Sequence, residues 1–333
     1  MDKRYIVITT IFQPTKAVKE FSKKDGFGLI VVGDKKTPFD WKEDNTIYLS
    51  VDEQKKSFPN MEELLPYNHY ARKNLGYLHA IKSGAEIIVD TDDDNIPYKD
   101  WLFPNFEGVF SEVRQRNGFV NIYFHYSDLK IWPRGLPLHL IKSPDVKIHP
   151  NELDKKKVTV GVWQGLADQD PDVDAVYRLV DNVPCIFKKN GNIVLPMGTL
   201  SPFNSQNTAF RKELFPLLYI PSTVTMRFSD ILRGLVAQPI MWAHGYQLGI
   251  NEATVYQERN EHNLMKDFEQ EIPCYLYAER TVEIVKKAIK SNHTIATNLM
   301  NAYQALEKNN IVSSRELHVL GAWLESLQNN LCD

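Results

Sequence analysis

Four short apolar runs punctuate the start of the chain: Tyr5–Phe12, Gly28–Val32, Thr46–Val51 and Glu86–Asp90. Each has strand length, and the first two close on turn signals, Gln13-Pro14 and Gly33-Asp34. Apolar runs bounded in this way suit strands buried on both faces of a parallel sheet. Before the fourth run, Ala71, Leu75, Leu78 and Ile81 share one helical face. The spacing predicts a helix from Asn68 to about Ser83, with Asn68 as N-cap and Gly84 as the stop. Strands alternating with helices point to an α/β fold with a mostly parallel sheet. Ligands of such sheets bind at the carboxyl ends of the strands. Three acidic features fall at those ends: Asp34, Asp52 and the run beginning at Asp90.

The rest of the chain narrows the function classes. Its 333 residues are 43% hydrophobic and 24% charged, which excludes a mainly disordered chain. A net charge of −3 excludes a chain-wide basic field, so nucleic acid is not an expected partner. Cys185, Cys274 and Cys332 form no CxxC pair, so neither a disulfide framework nor a thiolate zinc site is expected. The N-terminal apolar run is too short for a signal peptide, and no run approaches the roughly 18 apolar residues of a membrane span. A soluble, cytoplasmic protein is expected, with peripheral membrane contact left open.

The middle, roughly 101–225, is irregular and Pro-rich, and it carries the acidic stretch Asp168–Asp174. Towards the end the pattern turns helical, with Val282, Val285, Ala288 and Ile289 on one face. Ser313 and Glu316 read as a capping box. Leu317, Leu320, Leu324, Leu327 and Leu331 then form a stripe that suits packing within the chain or, alternatively, a homodimer seam.

The segment IIVDTDDDN places Asp90, Asp92, Asp93 and Asp94 directly after an apolar strand. Crowded carboxylates raise one another's pKa unless a cation compensates. A hard divalent cation with oxygen ligands, Mn²⁺ or Mg²⁺, would neutralise them and keep positions open for substrate phosphates. An exposed acidic turn is the plainer alternative. An EF-hand is excluded, because Asn95 and Trp101 stand where its Gly and Glu belong.

A strand ending in Asp-x-Asp within a βα layout resembles the GT-A class of nucleotide-sugar glycosyltransferases. The surrounding segments resemble the glycosyltransferase-like domain of the STELLO proteins. They are ITTI (8–11), VVGDKKTP (31–38), LPYNHYARKNLGYLHAI (65–81), GAEIIVDTDDDN (84–95), WPRGLPL (132–138), QGLADQDPDVDAVYRL (164–179), SPFNSQNTAF (201–210) and IPCYL (272–276). The aspartate run, WPRG and PFNSQNTAF also look like the more distant reversibly glycosylated polypeptides, which include UDP-arabinopyranose mutase. Unlike the plant STELLO proteins, the sequence shows no N-terminal membrane anchor. Golgi localisation and a role in cellulose synthesis are therefore not expected to carry over.

The resemblance implies a GT-A-like, Rossmann-like domain over 1–276, with a donor-binding half of about 1–100 and an acceptor-side half of about 101–276. A C-terminal helical extension, 277–333, follows. It also implies a UDP-sugar donor and a saccharide or glycoconjugate acceptor. Thr9, Thr10 and Asp34 fall where this class holds base and ribose. Arg72 and Lys73 start the helix before the metal strand, from which cations reach the diphosphate or the aspartates. Asp92 and Asp94 are the expected metal ligands, pointing the same way if the chain stays extended, with Asp90 in support. His262 is a candidate third ligand. Trp132, Arg134 and Trp163 are expected to line the sugar site, and Asn204, Ser205, Gln206 and Asn207 to meet its hydroxyls. Asp170, Asp172 or Asp174 is a further sugar-binding candidate, with Asp174 also suited to cap the next segment. Asp230, read as standing at a helix start, is the candidate general base.

These residues together predict a metal-dependent glycosyltransferase. The alternatives are a nucleotide-sugar mutase, a non-catalytic nucleotide-sugar-binding or assembly subunit, and, more weakly, a metal phosphohydrolase.

Overall fold

A computed structural model describes residues 3–259 and 263–331. His262 and Cys332 lie outside the described residues. The strands are β1 (Arg4–Thr9), β2 (Phe27–Val32), β3 (Thr46–Leu49), β4 (Ile87–Thr91), β5 (Asn95–Pro97), β6 (Glu107–Val113), β7 (Gly118–Phe119), β8 (Leu153–Asp168), β9 (Ile193–Leu195), β10 (Thr199–Leu200), β11 (Asn207–Arg211) and β12 (Gln247–Gln257). The α-helices are α1 (Lys16–Phe21), α2 (Val51–Ser57), α3 (Pro59–Leu64), α4 (Lys73–Lys82), α5 (Tyr123–Tyr126), α6 (Ala175–Val180), α7 (Met226–Ala243), α8 (Leu264–Ala288), α9 (Ile295–Lys308) and α10 (Ser314–Leu331).

Ten strands form one sheet in the order β3-β2-β1-β4-β11-β8-β6-β9-β12-β5. The first four are parallel, as the apolar runs predict. Beyond β4 the expectation of a mostly parallel sheet is corrected. β11 runs antiparallel to both β4 and β8, and β6, β9 and β5 also pair antiparallel. Only β8 with β12, and β6 with β9, keep the parallel sense there. Parallel neighbours need a crossover, usually a helix. The first half has helices between β1 and β2 and between β3 and β4, whereas α5 and α6, both short, are the α-helices between β4 and β11 among the described residues.

Alternation along β1 and β2 divides the core. Val7, Ile30 and Val32 face one apolar layer, packed with Leu75 and Leu78 of α4. Ile6, Ile8, Leu29 and Val31 face the other, with Val18, Phe21 and Trp101. Burial on both faces explains why these strands read as unbroken apolar runs. The predicted helix is shorter than expected. Asn68 takes a left-handed φ of 51°, and a 3-10 turn (Tyr70–Arg72) capped by His69 leads into α4. Gly84, with φ +80°, ends it as predicted. Gly76 lets α4 lie flush on the sheet, because a Cβ there would stand 2.5 Å from Val7 and 2.6 Å from Val32.

The C-terminal helices are part of this body. α8 runs unbroken through position 276, the expected edge of the extension, and packs on α7. α10 packs on α3, α4 and α9. Leu320 and Leu327 are buried, and Leu317 and Leu324 are partly buried against the same core. The leucine stripe is therefore internal packing along these four residues. The capping box is also corrected. Glu316 is fully buried and reaches across to accept from the Ser222 and Thr223 amides and the Tyr219 hydroxyl. Among the described residues, no helix is long and apolar enough to cross a membrane.

Candidate active site

A cleft of about 560 Å³ opens at the carboxyl ends of β1, β2 and β4. Its position follows from the topology. After β4 the chain leaves the parallel half, makes a turn at Asp93 and Asp94, and resumes as β5 at the far edge of the sheet. Such switch points leave a crevice for ligands. The turn means that Asp92 and Asp94 do not follow strand alternation, so that expectation is corrected. Asp92, Asp93 and Asp94 all line the cleft.

Thr9, Thr10, Asp34, Arg72, Arg134, Asn204, Gln206 and Asp230 line it too, as expected. Asp52 does not belong to it. It sits in the exposed first turn of α2. Lys73 and Asp90 form a layer behind the aspartate turn. Lys73 Nζ lies 2.6 Å from Asp90 and 3.0 Å from Asp92, and Asp90 also pairs with Arg233 at 2.8 Å. Arg72 makes no hydrogen bond to the aspartate turn. It donates to Gln54 (3.0 Å) and Glu62 (3.1 Å) and stands 4.0 Å from Asp34.

Three expected sugar-site residues are placed elsewhere. Trp163 is buried on the opposite face of β8, edge-on to Phe110, while its neighbour Gln164 holds the Asn204 amide and the Thr208 hydroxyl on the cleft side. Asn207 also points away, bonded to Trp101 Nε1 and Thr254. Trp132 lies behind the wall, donating to Asp174 at 2.7 Å. Asp174 in turn caps α6 through the Tyr177 amide, as predicted.

The aspartate turn carries uncompensated charge. Asp92 accepts from the Tyr70 hydroxyl (2.6 Å) and from Lys73. Asp93 accepts from the Thr10 hydroxyl. Asp94 accepts from Gln257 at 2.9 Å through one oxygen, while its Oδ1 is buried without a partner. Burial raises all three carboxyls. Asp93 is pushed up to about 6, and Asp94, with Asp92 beside it, to about 7. Burial alone would discharge Lys73, but Asp90 and Asp92 raise its proton affinity and keep it charged. Among the described residues, no three His, Cys, Asp or Glu side chains already converge as a metal site. The orphaned Asp94 oxygen and the surplus of carboxylates nevertheless fit a hard divalent cation.

The opposite wall comes from α6, α7, β12 and α8. Arg134 is clasped by two carboxylates, Asp172 (2.9 and 2.9 Å) and Asp230 (3.0 and 3.0 Å). Asp230 lies one turn inside α7, whose N-cap is Thr225, so the expected helix start at Asp230 is corrected. Its oxygens also accept from the Ser205 and Ile231 amides. Arg227 pairs with Glu271 at 2.6 Å, Arg259 with Asp267 at 2.8 Å, and Arg178 with Asp170. Burial, then Arg178 and Arg227 nearby, lowers Arg259 to about 10. Two amides bridge the walls: Gln257 donates to Asp94, and Gln206 donates to Gln257 and to the Asp170 carbonyl.

Sequence reasoning did not anticipate Tyr70, Arg227, Gln257 or Arg259. Only Arg233, a lone cation within the apolar stretch DILRGL, carried a local signal, since an arginine there demands a buried partner.

Two Arabidopsis thaliana proteins, named probable glycosyltransferase STELLO1 and STELLO2, are 26% and 27% identical to the chain over 98% of it. The resemblance to the STELLO-type family therefore extends over nearly the whole chain. The chain spans 44% of the length of each of these relatives. No family model matches it.

Proposed function

We propose that the protein is a metal-dependent glycosyltransferase that moves a sugar from a UDP-sugar to a saccharide or related acceptor. The observation that carries this reading is the aspartate turn: half-buried, short of positive charge, and placed at the switch point of the sheet. Asp92 and Asp94 would hold Mn²⁺ or Mg²⁺, with Tyr70 and Lys73 orienting Asp92. The bound cation would supply charge stabilisation for the departing diphosphate. Asp34 offers a carboxylate to ribose hydroxyls or a base N–H, and Thr9 and Thr10 border the same end. Asp230 is the candidate base. Arg134 and the Ser205 and Ile231 amides give each of its oxygens two donors, so proton uptake from an acceptor would displace one of them.

That clasp also favours a second reading, a nucleotide-sugar mutase, which needs no external base. Nucleotide release from UDP-, GDP-, ADP- and CMP-sugars, with Mn²⁺, Mg²⁺ or EDTA, tests both readings. Metal-dependent UDP release that is lost in Asp92→Asn is the expected result. Rearranged sugar nucleotide recovered without an acceptor would select the mutase. No binding of any sugar nucleotide, with or without metal, would sink both.

A further inference from the structure

The α6–α7–α8 side of the cleft gathers more cationic donors than the reading above uses. Arg178, Arg227, Arg259 and Lys266 all line it. Arg178 is buried to 5% exposure, and its Nε is buried without a hydrogen-bond partner. Arg227 uses Nε and Nη2 on Glu271, which leaves Nη1 without a partner among the described residues. Arg259 binds Asp267 through Nη2, while its Nη1 stands 4.0 Å from Asp170, which Arg178 already engages. Lys266, at the rim, has no carboxylate partner among the described residues.

Placing one buried and two partly buried guanidinium groups side by side costs free energy through mutual repulsion and desolvation. Their carboxylate partners offset the net charge but not the unfilled donors. An oxyanion fills those donors and also offsets the gathered positive charge, and guanidinium forks match phosphate oxygens in geometry. Three guanidinium groups and an ammonium offer more N–H donors than the two oxygens of a carboxylate accept, so a phosphoryl group fits better. The wall also adjoins Asp230, because Arg134 donates to both Asp230 and the Arg227 carbonyl. A group bound there would sit beside the candidate base and across the two bridging glutamines from the aspartate turn.

We propose that Arg178, Arg227, Arg259 and Lys266 form a phosphoryl-binding subsite for the acceptor, so that the sugar is transferred to a phosphate-bearing molecule. The inference rests on the glycosyltransferase reading for its acceptor, but the subsite itself can be tested alone. Calorimetric titration with inorganic phosphate would be run on the full chain, with and without saturating UDP and Mn²⁺. Wild type should bind phosphate in both conditions. Arg259→Gln should bind it about 10-fold more weakly, the size of one charge-assisted hydrogen bond. Lys266→Gln, a change at an exposed site that leaves the fold intact, should bind it about threefold more weakly. UDP affinity should be unchanged in both variants. One-for-one displacement of phosphate by UDP would overturn the proposal and give these arginines to the donor. So would absence of phosphate binding, or wild-type phosphate affinity in both variants. Phosphate binding without any UDP binding would leave the subsite standing and remove the donor reading instead.

Discussion

On the β4 side of the cleft, of Asp92, Asp93 and Asp94 only Asp92 is ion-paired among the described residues, with Lys73, and an oxygen of Asp94 is left without a partner. On the α7 side, each of the carboxylates Asp170, Asp172, Asp230 and Glu271 is paired with an arginine. Both walls carry charge, yet only on the second is each of these carboxylates matched by a cation of the chain. An open set of carboxylates is a site prepared for something the chain does not supply. A closed set of ion pairs holds geometry and breaks badly when one member is lost.

The contrast is tested most severely by removing a cation from the closed wall. Arg134→Leu strands Asp172 and Asp230 beside each other, and loss of one partner from a buried pair typically costs about 3–5 kcal/mol. The urea midpoint should fall accordingly, and an unchanged midpoint would end the idea of a self-sufficient wall. Next in size is Asp92→Asn, which should lower metal-dependent donor turnover on the order of 100-fold in steady-state assays, the scale of a lost metal contribution.

Removing a carboxylate from the open wall should act in the opposite direction on stability. In the folded protein Asp94 titrates near 7, above its ordinary 3.8. A raised pKa adds stability at low pH that is lost as pH climbs through 7. Without divalent cation, the wild-type melting temperature should therefore fall between pH 4 and 7, and Asp93 should add to the fall, whereas Asp94→Asn should show less of it. At pH 8 that variant should be the more stable by on the order of 2 kcal/mol. Manganese should stabilise wild type but not the variant. Smallest of all, Asp52→Asn removes an acid outside the cleft and should cost only about 0.3–1 kcal/mol of helix-terminus stabilisation, with turnover unchanged.

The two halves of the molecule also differ in how much of them can be read from sequence. The parallel half was legible because each strand is a contiguous apolar run and its chemistry sits at the run's end, as at Asp90–Asp94. The other half is built from distant segments. β8 pairs with β6, β11 and β12, whose partners lie tens of residues away, and no local pattern reports that. Trp163 and Asn207 show the consequence. Their chemistry suited a sugar site, but strand alternation turned both to the far face. Arg227 and Arg259 were missed for the converse reason, because their meaning comes only from the residues that folding brings beside them.

Glu316 bears on the order in which the molecule takes shape. Its carboxylate completes the loop of Ser222 and Thr223, 94 and 93 positions earlier in the chain. That loop leads directly into α7, which carries Arg227 and Asp230. The parallel half has its strands β1 to β4 early in the chain and can begin to collapse as it emerges. The loop before α7 is not fully hydrogen-bonded until α10 is in place. Contacts over such separations form slowly relative to local pairing, so truncating α10 should loosen the Arg227 and Asp230 end of α7 while leaving β1 to β4 paired.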